Sequence, residues 1–307
     1  MKKSVDKTKE ICYNIINKIV LYNKKEKLTM ELNKIYNEDC LEGMKKIPDK
    51  SVDMVLCDLP YEVTALKWDK IIPLEKLWEQ YERIIKDNGA IVLTATQPFT
   101  SKLVMSNPNL FKHEWIWEKQ KANNFMGAKY QPLKYHENVL VFGKGKVNYH
   151  PQKYKVLEIE ELMEMDKKEL TNLMKIRDYD RFGKIDRRKT FNEPISNKEY
   201  LGTKIKRGAR AKDTGYRNPK SVLKINKEVH NLIHPTQKPA ALFEYLIKTY
   251  TNEGETVLDN CMGSGTTAIA AINTNRNYIG FELDEEYYNL ANERISKTLK
   301  SETLETR

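Results

Sequence analysis

From Asn33 onward, apolar runs of strand length alternate with stretches of helical periodicity. That alternation restricts the chain to a sheet of parallel strands joined by helical crossovers. Strands are predicted at Lys34–Tyr36, Val52–Cys57 and Ala90–Thr94, with helices at Cys40–Ile47 and Leu74–Ile85 between them. The second helix sets Leu74, Leu77, Trp78, Tyr81, Ile84 and Ile85 on one face at i, i+3, i+4 and i+7. Further strands are expected at Trp115–Trp117 and Asn138–Phe142. After a break the rhythm returns as helix Ala240–Tyr250, strand Thr256–Leu258, helix Thr266–Ile272 and strand Tyr278–Phe281. Helix Asp284–Leu299 closes the pattern, with Asp284 as its N-cap.

The break falls at 146–227, and charge locates it a second time. This segment holds 22 lysines and arginines against 12 acids, which equals the net +10 of the whole 307-residue chain. Its second part, 181–227, holds 15 basic residues against 4 acidic ones. Such a segment fits a surface that meets a polyanion, or a solubilising insertion. The organisation expected is therefore a basic, weakly ordered extension over 1–29, with Met30 a candidate natural start. Two halves of one domain follow at 30–145 and 228–300, with the insert at 146–227 and a tail at 301–307. A helix is expected within the insert at Glu158–Met174. Hydrophobic residues at 40% and charged ones at 31% fit a folded chain. No stretch reads as a spanning helix or secretory signal, and the four cysteines show no CxxC pairing. A cytoplasmic chain with no membrane partner and no metal site is expected.

Two motifs carry chemistry. The first is Val257-Leu258-Asp259-Asn260-Cys261-Met262-Gly263-Ser264-Gly265-Thr266-Thr267, a strand running into a glycine turn that opens a helix. Gly263 and Gly265 let backbone approach a ligand closely, and Thr266 or Thr267 can cap the helix. The spacing is not the full dinucleotide fingerprint, and no lysine follows as in a Walker loop. Nineteen residues beyond Gly263, Glu282 ends the next strand, where an acid can accept from two ribose hydroxyls. A nucleoside cofactor without a pyrophosphate fits, S-adenosylmethionine foremost.

The second motif is Asp58-Leu59-Pro60-Tyr61, directly after a strand. It resembles the Asp-Pro-Pro-Tyr signature of DNA amino-methyltransferases, which modify adenine N6 or cytosine N4. With the Asp259–Thr267 loop and His234-Pro235-Thr236-Gln237-Lys238-Pro239, the order along the chain resembles the β class of that family. The resemblance covers roughly Leu32–Leu299 and implies a circularly permuted, Rossmann-like methyltransferase fold with an inserted target-recognition region. It also implies base flipping and direct in-line transfer from S-adenosylmethionine to double-stranded DNA. Asp58 and the carbonyl of Leu59 would accept the two amine hydrogens, Pro60 would shape the turn, and Tyr61 would stack on the base. Leu59 replaces the family's usual proline, which alters turn rigidity but leaves the carbonyl acceptor.

The resemblance extends to Asn37-Glu38-Asp39-Cys40, which implies cofactor contact at Asp39 and Cys40, with the acid meeting the cofactor's adenine. Thr236 and Lys238 are expected at its methionine end, with Lys238 on the carboxylate. Asp259, Cys261, Gly263, Gly265, Thr266, Thr267 and Glu282 complete the cofactor set. The DNA set is Trp68, Lys204, Lys206, Arg207, Arg210, Lys212 and Arg217, with Trp68 equally at home in the core. His136-Glu137 also fits the family, and a capping or packing role fits it as well. The opening Asp favours adenine N6. Cytosine N4 and a catalytically silent DNA-binding subunit stand as alternatives. A homodimer and a cognate restriction endonuclease are candidate partners.

Overall fold

The computed structural model of the chain describes residues 30–62, 70–122, 124–155, 166, 216–227 and 237–305. Ten strands lie within them: β1 (Lys34–Tyr36), β2 (Val52–Cys57), β3 (Ile85–Ala95), β4 (Phe111–Glu118), β5 (His136–Phe142), β6 (Tyr154–Lys155), β7 (Tyr216–Arg217), β8 (Val222–Lys224), β9 (Thr256–Asp259) and β10 (Asn277–Phe281). The helices are α1 (Cys40–Met44), α2 (Leu74–Ile84), α3 (Phe99–Ser106), α4 (Ala240–Tyr250), α5 (Thr266–Ile272) and α6 (Glu285–Glu305).

Eight strands form one sheet in the order β1-β10-β9-β2-β3-β5-β4-β8. Neighbours from β1 through β3 are parallel, β5 is antiparallel to both β3 and β4, and β8 runs parallel to β4. β2 is buried at every position, as a central parallel strand covered on both faces must be. Its alternation divides the core. Met54 and Leu56 pack with Leu242, Phe243 and Ala268 of α4 and α5, whereas Val55 and Cys57 pack with Leu77, Trp78 and Tyr81 of α2. The result is a sheet between two helical layers, the Rossmann-like arrangement expected.

Several boundaries move, each for a local reason. Ile85 belongs to β3 rather than to α2, because it pairs with Val52 across a register shift that lets Lys86–Gly89 bulge. The interruption Lys86-Asp87-Asn88-Gly89 hides this longer strand from a reading of apolar runs. α3, preceded by a Gln97–Pro98 peptide, carries too weak an apolar stripe to stand out in the sequence. Asp284 caps α6 as expected, accepting from Glu286 N (2.9 Å) and Tyr287 N (3.2 Å), but the helix runs past Leu299 to Glu305. β8, at the end of the basic segment, rejoins the main sheet, while β6 and β7 pair as a separate antiparallel ribbon. The expected helix Glu158–Met174 lies outside the described residues, apart from Asp166. Among the described residues no helix is long and apolar enough to cross a membrane.

Candidate active site

β2 and β9 are neighbours, with Met54 opposite Val257 and Val55 opposite Leu258. From β9 the sheet continues to β10 and β1, and from β2 to β3, so the strand order reverses between them. Loops at the carboxyl ends of such a pair open on one crevice, the usual ligand position in α/β sheets. A cleft of about 1250 Å³ lies there. It is lined by Asp58, Leu59, Pro60, Tyr61, Asp39, Cys40, Lys238, Asp259, Cys261, Gly263, Thr266, Thr267 and Glu282. Residues from both ends of the chain, drawn together by strand order alone, thus share one wall.

One end of the cleft is built from backbone. Gly263 and Gly265 adopt φ of 51° and 77°, the left-handed region that glycine tolerates. Gly265 is the N-cap of α5 rather than a wall residue, and a Cβ there would sit 3.2 Å from that of Ala291. Asp259 is buried and spends its oxygens on its own loop, accepting from Cys261 N (3.0 Å) and from the Thr267 hydroxyl. Burial pushes its pKa up to about 6 against the pull of these donors. Glu282 accepts from Gly263 N (2.7 Å) and Asp284 N (2.9 Å), tying the end of β10 to the glycine turn. Desolvation raises its pKa as well. Asp39 caps α1, accepting from Leu41 N (2.8 Å) and Glu42 N (3.3 Å). Cys261 hydrogen-bonds with Cys40 and Cys57 among buried groups that keep all three thiols protonated.

The other end is ionic. Asp58 Oδ1 accepts from the hydroxyls of Tyr61 (2.5 Å) and Thr94, while Oδ2 accepts from Lys238 Nζ at 2.6 Å. The Tyr61 ring packs on Phe99, centroids 5.3 Å apart. Lys238 also approaches Glu137 Oε2 at 3.4 Å, and Lys119 donates to Glu137 Oε1 at 3.0 Å. Burial alone would raise the Glu137 carboxyl, but the ammoniums of Lys238, Lys119 and Lys227 outweigh it and hold it down at about 2. Burial likewise works against the Lys238 ammonium, and Asp58 with Glu137 more than offsets it.

Lys238, expected at the cofactor's methionine end, lines the cleft with its ammonium on Asp58. Arg217 sits on β7, donating to Tyr216 O at 3.2 Å, and does not line the cleft. Trp68, Lys204, Lys206, Arg207, Arg210, Lys212 and Thr236 lie outside the described residues. The sequence reading passed over Thr94 and Lys119 and left Glu137 as a capping or packing residue. A signal was present. One residue past β4, Lys119 continues the alternation of Trp115 and Trp117, both buried, and in β5 Glu137 shares the phase of Val139 and Val141. Also unforeseen is the loop 124–135. Asn124 pins it by donating to Pro132 O and accepting from Lys134 N. It presents Phe125, Met126 and Tyr130 at 72, 86 and 90% exposure, while Asn124, Gln131 and Lys134 line the cleft.

The DNA methylase family profile matches residues 52–293. The chain is 25% identical over 277 residues to the type II methyltransferase M1.MboII of Moraxella bovis, spanning 86% of this chain and 96% of that protein. It is 26% identical over 281 residues to the DNA adenine methyltransferase YhdJ of Escherichia coli, spanning 86% and 83%. Among solved structures, M1.HpyAVI bound to S-adenosylmethionine matches with a TM-score of 0.51 at 23% identity, over 85% of this chain and 98% of that one. The cytosine-N4-specific PvuII methyltransferase matches with a TM-score of 0.54 at 15% identity, over 86% of each chain.

Proposed function

The chain belongs to the S-adenosylmethionine-dependent DNA methylases that modify adenine N6 or cytosine N4, and from that premise we propose that it methylates adenine N6 in double-stranded DNA. The observation that carries this reading is the meeting, along one cleft, of Asp58 after β2 and the Gly263 turn after β9. The donor set fits the cofactor. The acids Glu282 and Asp39, beside the close backbone of the Gly263 turn, suit a nucleoside with a ribose diol, and the cleft exceeds what one small ligand needs. Bound there, S-adenosylmethionine supplies a methyl group already activated by its sulfonium.

The protein's task is then alignment. An adenine amine is a poor nucleophile, because its lone pair is delocalised into the ring. Asp58 Oδ2 and the Leu59 carbonyl accept its two hydrogens and draw the nitrogen toward tetrahedral geometry. After transfer the nitrogen sheds a proton, for which the Asp58 carboxylate is the neighbouring base. Tyr61 offers its ring to the extruded base. Adenine is favoured over cytosine N4 because the motif opens with an aspartate.

The basic segment 146–227 is the proposed target-recognition region. The loop 124–135 joins it at the mouth of the cleft. It carries Lys129 and Lys134, with Lys121 just before it and no acid between Lys119 and His136, and exposed apolar side chains such as Phe125 and Met126 suit a wedge against unstacked bases. Replacing Lys206, Arg207 and Arg210 together is expected to weaken DNA binding and flatten its salt dependence. An unchanged slope moves the phosphate contacts elsewhere.

The deciding experiment is transfer from labelled cofactor to unmethylated genomic DNA, read by nucleoside mass spectrometry. N6-methyladenosine is expected. N4-methylcytosine would keep the site and reverse the base, and no transfer with both ligands bound would leave a silent DNA-binding subunit.

A further inference from the structure

Four charged side chains alternate in sign along one line through the cleft wall: Lys119, Glu137, Lys238 and Asp58. Successive ion pairs measure 3.0, 3.4 and 2.6 Å. The first three residues are only 2, 8 and 6% exposed. Burying charges this deeply is unfavourable, and apolar residues of similar volume often stabilise a fold at least as well. Stability therefore gives a poor reason for the row.

Its direction gives a better one. The row ends on Asp58, whose other oxygen is held by the Tyr61 and Thr94 hydroxyls. The carboxylate is thus gripped at both oxygens and cannot turn freely. Lys238 also has a second attachment: its backbone carbonyl accepts from the Thr266 hydroxyl at 3.4 Å, at the first residue of α5. One residue therefore spans from the acceptor of the amine hydrogens to the helix that opens behind the glycine turn.

We infer that Lys238, backed by Glu137 and Lys119, is a positioning residue that fixes Asp58 relative to the cofactor loop. This inference rests on the methylase reading. Glu137 acts only through Lys238. Its carboxylate sets where the ammonium sits, and the ammonium sets the plane of the Asp58 carboxylate. The row also accounts for a lysine so close to the catalytic acid without assigning it a cofactor contact. In-line transfer is steep in geometry, so loosening such a group affects turnover more than binding.

The test uses the full-length protein and separates turnover from affinity. Wild type, Glu137→Gln, Lys238→Met and Lys238→Arg are compared for kcat and KM on DNA, and for S-adenosylmethionine Kd by calorimetry. Lys238→Met is expected to lower kcat about 100-fold and Glu137→Gln about 10-fold, with cofactor Kd within about twofold of wild type. Lys238→Arg is expected to recover most of the loss, which a filler of space would not predict. If Glu137→Gln fails to fold, Glu137→Asp takes its place. It keeps the charge but withdraws it by one methylene, and a smaller kcat loss of the same kind is expected. A cofactor Kd raised tenfold or more in Lys238→Met, with kcat kept, returns Lys238 to the cofactor carboxylate and overturns the inference. Unchanged kcat in both charge-removing variants overturns it too. A wild-type chain that transfers nothing to DNA sinks the methylase reading and this inference with it.

Discussion

Asp58 and Asp259 stand at matching places, each at the carboxyl end of one of two adjacent parallel strands, yet they do opposite work. Asp259 is 3% exposed and satisfied chiefly by its own loop, through Cys261 N and the Thr267 hydroxyl, with the Cys57 thiol of β2 beside them. Asp58 is satisfied by Tyr61 of its own turn and by two side chains from distant places in the chain, Thr94 and Lys238. Partners within a loop fix that loop's shape. Partners drawn from elsewhere fix the acid itself within the cleft. The lesson is that an acid's role at a strand end is read from the origin of its donors, not from its position.

Substitutions at the two aspartates can break this contrast. The largest effect is expected from Asp58→Ala: transfer falls by at least about 1000-fold while cofactor affinity survives, measured by labelled-methyl incorporation and calorimetry. Loss of both together would make Asp58 a structural acid like Asp259.

The next effect concerns pH. The native carboxyl of Asp259 titrates near 6, above its ordinary value of 3.8, so the folded chain holds the proton longer than the unfolded one. Its contribution is therefore full below about pH 4 and is lost as pH rises through about 6, by up to about 3 kcal/mol. Denaturant midpoints at pH 4 and pH 7 should show wild type losing stability relative to Asp259→Asn over that interval. A constant difference would show that burial does not govern this group. The smallest effect is expected from Asp259→Ala at saturating cofactor: Kd rises about tenfold as the loop loosens, whereas kcat changes only a few-fold. A kcat loss rivalling that of Asp58→Ala would erase the distinction between the two acids.

Much of this site was legible because its backbone parts are local. Apolar runs announce β2 and β9, and Gly263 with Gly265 announces the turn, since left-handed geometry demands glycine. Glu282 stands out by its spacing from Gly263, and in the fold it ends β10 beside that turn, accepting from Gly263 N. The ionic end was not. Lys238 lies 180 residues from Asp58, and no local pattern couples a lysine before one helix to an acid after a distant strand. Lys119 and Glu137 could have been suspected from their phase with Trp115, Trp117, Val139 and Val141. A charged residue at a strand end ordinarily reads as the strand meeting water, and that expectation concealed them.

The sheet order has a consequence for how the protein is made. β1 and β2 are synthesised before the other strands but are not neighbours; β9 and β10, synthesised after all the strands β3 to β8, fill the gap between them. A chain halted before Thr256 therefore holds Asp58 on a strand with one open edge and no glycine turn opposite it. The acid and its cofactor wall come into being in the same event, the insertion of two late strands between two early ones. A nascent chain thus lacks the assembled cleft until β9 and β10 have been translated.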